Sequence, residues 1–486
     1  MPESALAKLI QNFLPKGRSS RPPVSMTKLS SLLEVAAKKF HVPGIAVGIL
    51  YEGNEFFASY GVTNVDQPQP VGKDTLFMVA SVTKTFTASA IMHLVSIGKV
   101  HLHDPIKDYL PELFLDENGA FESITVLQLL NHTSGLEWRL DFDTGEGVEA
   151  LAKYVELIKA TKPSSPAGAS ASYSQVGYNL LGRILEKVTG QTYEQAIESI
   201  LFQPLGLSNS FFDLPGIQSR QHASGHNEDD QRKLVIAKQL KYSRNENPGG
   251  GLATSASDLI RWARFHLVDP TVANGAQVLP SKEIEKMQIA TTKLHGSSLG
   301  DAIGIGWFLR KIAGMQLVTH SGSGNGQFSE LLLVPERHFA VVALCNGGPN
   351  GIQFNQAVLQ WTMSNYLGLV ERPPRPLQFD AALSQEVSGT YENEIQVVKI
   401  LVNGKKLTIS AGIKPEVRAA TDKELPADYP SAAFFFFTPG QDDFYVSGGG
   451  MRGQRGAFTR NGNGMVDGVN IGGRTFKKVP SATKQA

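Results

Sequence analysis

The sequence predicts an α/β domain with a helical insertion, followed by an all-β domain. Three observations carry that reading. Apolar, strand-like runs sit at both ends of the region before residue 370, while helical spacing fills its middle. A Pro-rich stretch, "ERPPRPLQFD" (371–380), stiffens the chain and removes backbone donors, which marks a linker. Beyond it, short apolar runs are separated by Gly-rich turns. Strands at both ends of a helical middle imply one sheet assembled from distant segments, with a helical subdomain inserted between them.

The elements follow in order. "LPKGRSSRPPVS" (14–25) reads as an exposed lead-in, so residues 1–25 stand apart. The large segment is 26–370. It opens with "MTKLSSLLEVAAKKF" (26–40), which has helical spacing, and "GIAVGILYEGNEFFASYG" (44–61), two strands around a Gly-Asn turn. From 81 to about 270 the pattern is helical, as in "YNLLGRILEKVTG" and "TYEQAIESILFQPLG". Strands return at "GIGWFLR", "MQLVTH", "FSELLLVP" and "FAVVALC", and "FNQAVLQWTMSNYLG" is a last helix before the linker at 371–380. In the tail, 381–486, "VVKILVNGKKLTIS" places Asn-Gly between two apolar runs, a hairpin signal. "SAAFFFFTPGQDDFYVSGGG" and "GMVDGVNIGGRTFKKV" continue as short strands, the pattern of a small barrel or sandwich.

The totals exclude some functions. Lys plus Arg is 46 and Asp plus Glu is 45, a formal net charge of +1, so no nucleic-acid or anionic-membrane partner is expected. No continuous apolar run reaches about 18 residues, the length that spans a bilayer. The first residues lack the basic start and apolar core of a signal peptide, which makes the cytoplasm the expected location. Cys345, the single cysteine, sits in "HFAVVALCNGG" and reads as a buried small hydrophobe.

The chemistry gathers at "FMVASVTKTFTASAIMHL" (77–94), where Ser81 precedes Lys84 by three residues. A helix sets i and i+3 on one face, so the two side chains are neighbours. The first-turn N–H groups have no intrahelical partners and the dipole there is positive, which suits a developing oxyanion. Burial among apolar residues disfavours a charged lysine, and a neutral lysine accepts a serine proton. The plainer alternative is an N-cap serine beside a solvated lysine.

These motifs resemble the serine hydrolases related to class C β-lactamases, D-alanyl-D-alanine carboxypeptidases, D-aminopeptidases and family VIII esterases. The resemblance covers roughly 28–370 and rests on "VPGIAVGIL", "FMVASVTKTFTA", "HLHDPIKDYLPE", "ITVLQLLNHTSGL", "SYSQVGYNLLGRILEKVTG", "PGGGLATSASDLIRWARF" and "HSGSGNGQFSELLLVPE", in the family's order. It implies a three-layer sandwich, an antiparallel sheet flanked by helices. Relatives similar to D-aminopeptidases carry C-terminal barrels, which implies a lipocalin-like barrel for the tail. It implies Ser81 as nucleophile, Lys84 as its partner, and Tyr173, in "SYSQ", as the tyrosine of a Tyr-x-Asn motif. Gln175 stands where the family has Asn, with one more methylene, and its amide is left between Lys84 and the substrate as partners. His320-Ser321-Gly322 stands where β-lactamases have Lys-Thr-Gly. There Gly322 lets substrate approach, and the N–H of Ser323 pairs with that of Ser81 as an oxyanion hole. His-x-Gly resembles the peptidase and amidase branches, and a missing lysine argues against β-lactam turnover.

The expected function is an acyl-enzyme serine hydrolase on peptide or D-amino-acid amides, without metal or cofactor. A carboxylesterase on small esters, a non-catalytic penicillin-binding-like receptor and a filament scaffold are the rivals. The expected partners are a small-molecule or peptide substrate and, through the tail, further copies of the chain as a homo-oligomer; the tail otherwise caps the cleft. Other signals fail in context. "GSSLG" (296–300) has no following helix, so Ser298 is no nucleophile elbow. "GGGMRG" (448–453) sits among short strands with no helix for a pyrophosphate. "HLHD" (101–104) has no further ligands and reads as a turn. The sequon in "NHTSG" is expected to be unused, and Phe434 to Phe437 to pack both faces of one strand.

Overall fold

The computed structural model describes residues 25–480, apart from 115–118, 120, 141, 230, 270–273 and 420–427. The expected lead-in lies, but for Ser25, outside the described residues. The chain forms two compact units. The first runs to Ala169 and includes Ser174–Thr291 and Ile303–Glu371; the second comprises Ser170–Tyr173, Thr292–Ala302 and the chain from Arg372. Two short segments of the 26–370 region thus group with the tail.

The first unit opens with helix α1 (Met26–Phe40). It ends at His41, whose positive φ of 53° stops the helix, and Lys38 and Lys39 complement its C-terminal dipole. Strands β1 (Gly44–Tyr51) and β2 (Asn54–Gly61) form a hairpin. Its turn is Glu52–Gly53, with φ of 50° and 76°, rather than Gly-Asn. Tyr51 pairs with Asn54, so Asn54 already belongs to the second strand. A two-residue primed turn needs two positive φ values, and a one-residue slip would turn β1's core face outward.

The helical region includes α2 (Thr83–Ser96), α3 (Gln175–Thr189) and α4 (Ala256–His266). Strands β3 (Phe308–Ile312), β4 (Met315–Gly324), β5 (Gln327–Val334) and β6 (Phe339–Cys345) then return, followed by α5 (Gly351–Thr362). Six strands of the eight-stranded sheet run β2-β1-β6-β5-β4-β3, so the first hairpin pairs with the last strand of the unit. Helices cover both faces. On one face Ile45, Val47, Val341 and Cys345 pack against Leu29 and Leu33 of α1 and Phe354 and Trp361 of α5. Each such buried side chain contributes about 1.5–3 kcal/mol. On the other, a Cβ at Gly48 would lie 2.6 Å from Ile260 Cγ1 of α4, so glycine admits that helix. With both faces covered, β1 and β6 read as continuous apolar runs.

The second unit contains α6 (Ala381–Val387), capped by Asp380, and eight strands: β7 (Gly389–Glu392), β8 (Gln396–Asn403), β9 (Lys406–Ile413), β10 (Tyr429–Phe436), β11 (Asp443–Val446), β12 (Arg455–Arg460), β13 (Val466–Ile471) and β14 (Arg474–Lys478). They close into a barrel, with Tyr391 of β7 opposite Lys478 of β14. Closure removes both free edges. The predicted hairpin is present with its turn at Gly404–Lys405, so Asn403 pairs with Lys406. Phe434 and Phe436 point into the barrel core, and the Phe435 ring lies tilted against Tyr445, outside that core. The linker is anchored to this unit, where Leu377 N–H donates to Phe436 O at 2.8 Å. Among the described residues, no helix is long and apolar enough to cross a membrane.

Candidate active site

Ser81 lies in a 3₁₀ turn, Ala80–Val82, and α2 begins only at Thr83. This corrects the expected placement in the helix's own first turn. Ala80 adopts a left-handed φ of 44°, unfavourable by about 1–2 kcal/mol for a residue with a Cβ. The surroundings hold it there. Ser329 Oγ donates to Val79 O at 2.7 Å, and Met78 N–H donates to Gln327 Oε1 at 3.0 Å. Thr83 Oγ1 donates to Ala80 O at 2.6 Å and accepts from Leu252 N–H at 3.2 Å. A strained residue so over-determined is a mark of a functional turn.

Lys84 is fully buried. Its Nζ donates to Gln175 Oε1 at 2.7 Å and to Gly249 O at 2.6 Å, and lies 3.4 Å from Ser81 Oγ. It also sits 5.4 Å over the Tyr178 ring. Gln175 therefore reaches Lys84 despite its extra methylene. Ser174 positions it by capping α3, its Oγ accepting from Gly177 N–H at 3.1 Å.

Strand β4 runs along the serine turn. A Cβ at Gly322 would lie 2.1 Å from Val79 O and 3.0 Å from Ser81 N, so only glycine permits this approach. Asn325–Gly326, with φ of 48° and 71°, forms a two-residue turn into β5 that sets Gly322 opposite Ser329 and Ser323 opposite Phe328. Ser323 is exposed next to Gly322.

Two histidines flank this cluster. His320 is buried, and its Nδ1–H donates to Ser321 O at 2.8 Å, which leaves Nε2 with the lone pair. Burial, then the charge of Lys84, pulls its pKa down to about 3. His132 is buried between Tyr178 and Phe308, and its Nδ1 accepts from Ser174 N–H at 3.1 Å. Burial first, then Lys84 and His320, holds it well below the ordinary imidazole range. Both rings are neutral near pH 7.

The first unit therefore brings Ser81, Lys84, Gln175, His320, Gly322 and Ser323 into one region. Tyr173 belongs to the second unit, where its N–H donates to Gly473 O at 2.8 Å. Sequence reasoning missed His132, Asn179, Glu246, Gly249 and Gln327. The glycine run in "PGGGL" and the Asn-Gly of "SGNGQF" were the available signals. The set-aside motifs have other partners. Ser298 Oγ donates to Gln454 Oε1 at 2.5 Å, and Asp104 Oδ2 accepts from Tyr109 O–H at 2.6 Å. Asn131 is buried and donates to Thr291 Oγ1 at 3.2 Å. The Cys345 thiol is pushed up to about 12 by burial.

The chain matches a known family and several known proteins. The family described as Beta-lactamase matches residues 29–359. Penicillin-binding protein 4 of Amycolatopsis lactamdurans is 31% identical over 365 residues, 73% of this chain and 94% of that protein. The structure of SurE with D-Leu superposes with a TM-score of 0.72 at 24% identity, covering 93% of this chain and 99% of SurE. The octameric penicillin-binding protein homologue from Pyrococcus abyssi gives 0.63 at 24% identity, covering 93% of this chain and all of that one (100%). A match over most of the first unit, with a serine and a buried lysine at its centre, places this chain in the beta-lactamase family of serine hydrolases.

Proposed function

We propose that this hydrolase acylates Ser81, with Lys84 as base, and cleaves amide bonds in peptides, D-residues included. The coordination of Lys84 carries the reading. A neutral amine has two N–H donors and one lone pair. Two carbonyl oxygens at 2.7 and 2.6 Å take the donors, and the remaining position faces Ser81 Oγ at 3.4 Å. Such a contact tightens when substrate binds.

Ser81 Oγ bonds to the substrate carbonyl carbon as its proton passes to Lys84 Nζ. The oxyanion is taken by the N–H groups of Ser81 and Ser323. The C–N bond then breaks, and the departing nitrogen receives the proton through Lys84 and Tyr173; the role of Tyr173 rests on its place in the Tyr-x-Gln motif. Water attacks the ester, returns a proton to Ser81 and releases the acid.

The neutral His320 supports amides over β-lactams, because a substrate carboxylate meets no positive charge at that position. The neighbour solved with D-Leu supports testing D-residues first. The octameric homologue is the reason to expect a homo-oligomer.

Ser81→Ala is expected to abolish turnover and labelling by an active-site phosphonate while leaving the melting temperature in place. Substantial residual activity overturns the assignment. The kcat/KM values for a D-alanyl anilide, its L-isomer and a short-chain nitrophenyl ester, each divided by the uncatalysed rate, test the substrate class. A larger enhancement for an anilide with a stereochemical preference is the expected result. Inert anilides with a large ester enhancement would make it an esterase.

A further inference from the structure

The amide of Gln175 is engaged at both its oxygen and its nitrogen by the protein itself. Oε1 accepts from Lys84 Nζ at 2.7 Å, and Nε2 donates to Asn179 Oδ1 at 3.1 Å and to Glu246 O at 3.3 Å. A primary amide has two N–H donors, and both are engaged. Asn179 lies one helical turn beyond Gln175, on the same face of α3.

Gly249 completes the arrangement. A Cβ there would lie 2.0 Å from Gln175 Nε2 and 2.3 Å from both Cδ and Oε1. Its φ lies outside the left-handed region, so backbone freedom does not explain the glycine. What matters is the missing side chain, whose space the longer amide fills. The same residue's carbonyl accepts the second Lys84 proton at 2.6 Å.

We propose that Gln175 and Gly249 are a size-matched pair that aims Lys84 at Ser81, that Asn179 locks the amide, and that Gln175 does not read the substrate. The three are positioning residues. The proposal rests on the Ser81–Lys84 reading above. Its consequence for specificity is that the carbonyl of an amide within the substrate's acyl group gains no hydrogen-bond donor from Gln175.

The test is phosphonate labelling of Ser81, resolved into KI and kinact, in Gly249→Ala, Gln175→Asn, the double variant and Asn179→Ala, with melting temperatures. In Gly249→Ala the far end of Gln175 is expected to swing away rather than the fold to break. Its kinact should fall roughly 10- to 100-fold, the scale of leaving a buried donor unsatisfied, with KI unchanged. Asparagine is one methylene shorter, so the double variant should recover most of that loss, doing far better than the product of the single effects. Asn179→Ala should lower kinact by a smaller factor, again at constant KI. Independent effects in the double variant, or a weakened KI in place of a slower kinact, overturn the proposal. If Gly249→Ala fails to fold, an unchanged kinact in Asn179→Ala overturns it instead. A wild-type protein that takes no label defeats the function proposed above. The pair is then judged on melting temperature, where Gln175→Asn must restore what Gly249→Ala loses.

Discussion

The Lys84 side chain and the interior of the barrel are both buried, yet their surroundings are built from opposite materials. Around Lys84 Nζ lie a primary amide, one backbone carbonyl and a hydroxyl at 2.6–3.4 Å, with two neutral imidazoles nearby that bond to other backbone groups. Inside the barrel, Phe434 lies 4.8 Å from Phe444 and 6.4 Å from Phe458, among Val398, Ile400, Ile409 and Val469. That interior is filled by side chains, as an eight-stranded barrel of this size permits. Apolar packing is non-directional and tolerates changes that conserve volume. The polar cluster tolerates far less, because a misdirected donor leaves a buried acceptor unsatisfied.

Two nearly isosteric substitutions would break the comparison if it is wrong. Lys84→Met keeps the aliphatic stem and removes the lone pair. Labelling of Ser81 should fall by roughly 10³-fold, the scale of a lost general base. Unfolding free energy should drop by about 1–3 kcal/mol, because Gln175 Oε1 and Gly249 O lose their donor. Brisk labelling in that variant would make the cluster merely structural. Phe444→Leu keeps most of the volume and should lower barrel stability by about 1 kcal/mol, whereas Phe444→Ala should cost about 3–5 kcal/mol. Urea unfolding measures both. Equal losses from the two would mean that volume is not what the barrel interior selects.

The same contrast explains what could be read from the sequence. Periodicity revealed α1, the outer strands and the barrel hairpin, because packing acts over whole segments. Turn positions slipped by one residue where Glu52 took a left-handed conformation usually left to glycine or asparagine. The motif residues Ser81, Lys84 and Gln175 stood out through spacing and resemblance. Gly249 and Asn179 did not, because their significance lies in what they touch: a glycine whose φ is ordinary and an asparagine inside a helix carry no local signal. The left-handed Ala80 was likewise invisible, since only the surrounding bonds from Ser329, Gln327 and Thr83 hold it.

The pH dependence of stability sharpens the polar side of the comparison. Burial holds the His266 pKa at about 3 against 6.5 in the unfolded chain, with His320 at about 3 and His132 also depressed. Between those values the unfolded chain binds protons that the folded protein refuses. These groups therefore leave stability complete above pH 6.5 and erode it as pH falls towards 3, each by up to about 1.4 kcal/mol per pH unit. Glu330 acts with the opposite sign. Burial raises it to about 8 from 4.5, so the folded protein retains a proton that the unfolded chain has lost, and stability is eroded as pH rises through that window. Urea unfolding at pH 5, 6, 7 and 8 should show a stability curve for His266→Gln that is flatter on the acid side by about one proton. Glu330→Gln should be more stable than the parent at pH 8, and the gain should shrink by up to about 1.4 kcal/mol per pH unit towards pH 5. Parallel curves for the parent and both variants would mean that these groups titrate alike in the folded and unfolded chains.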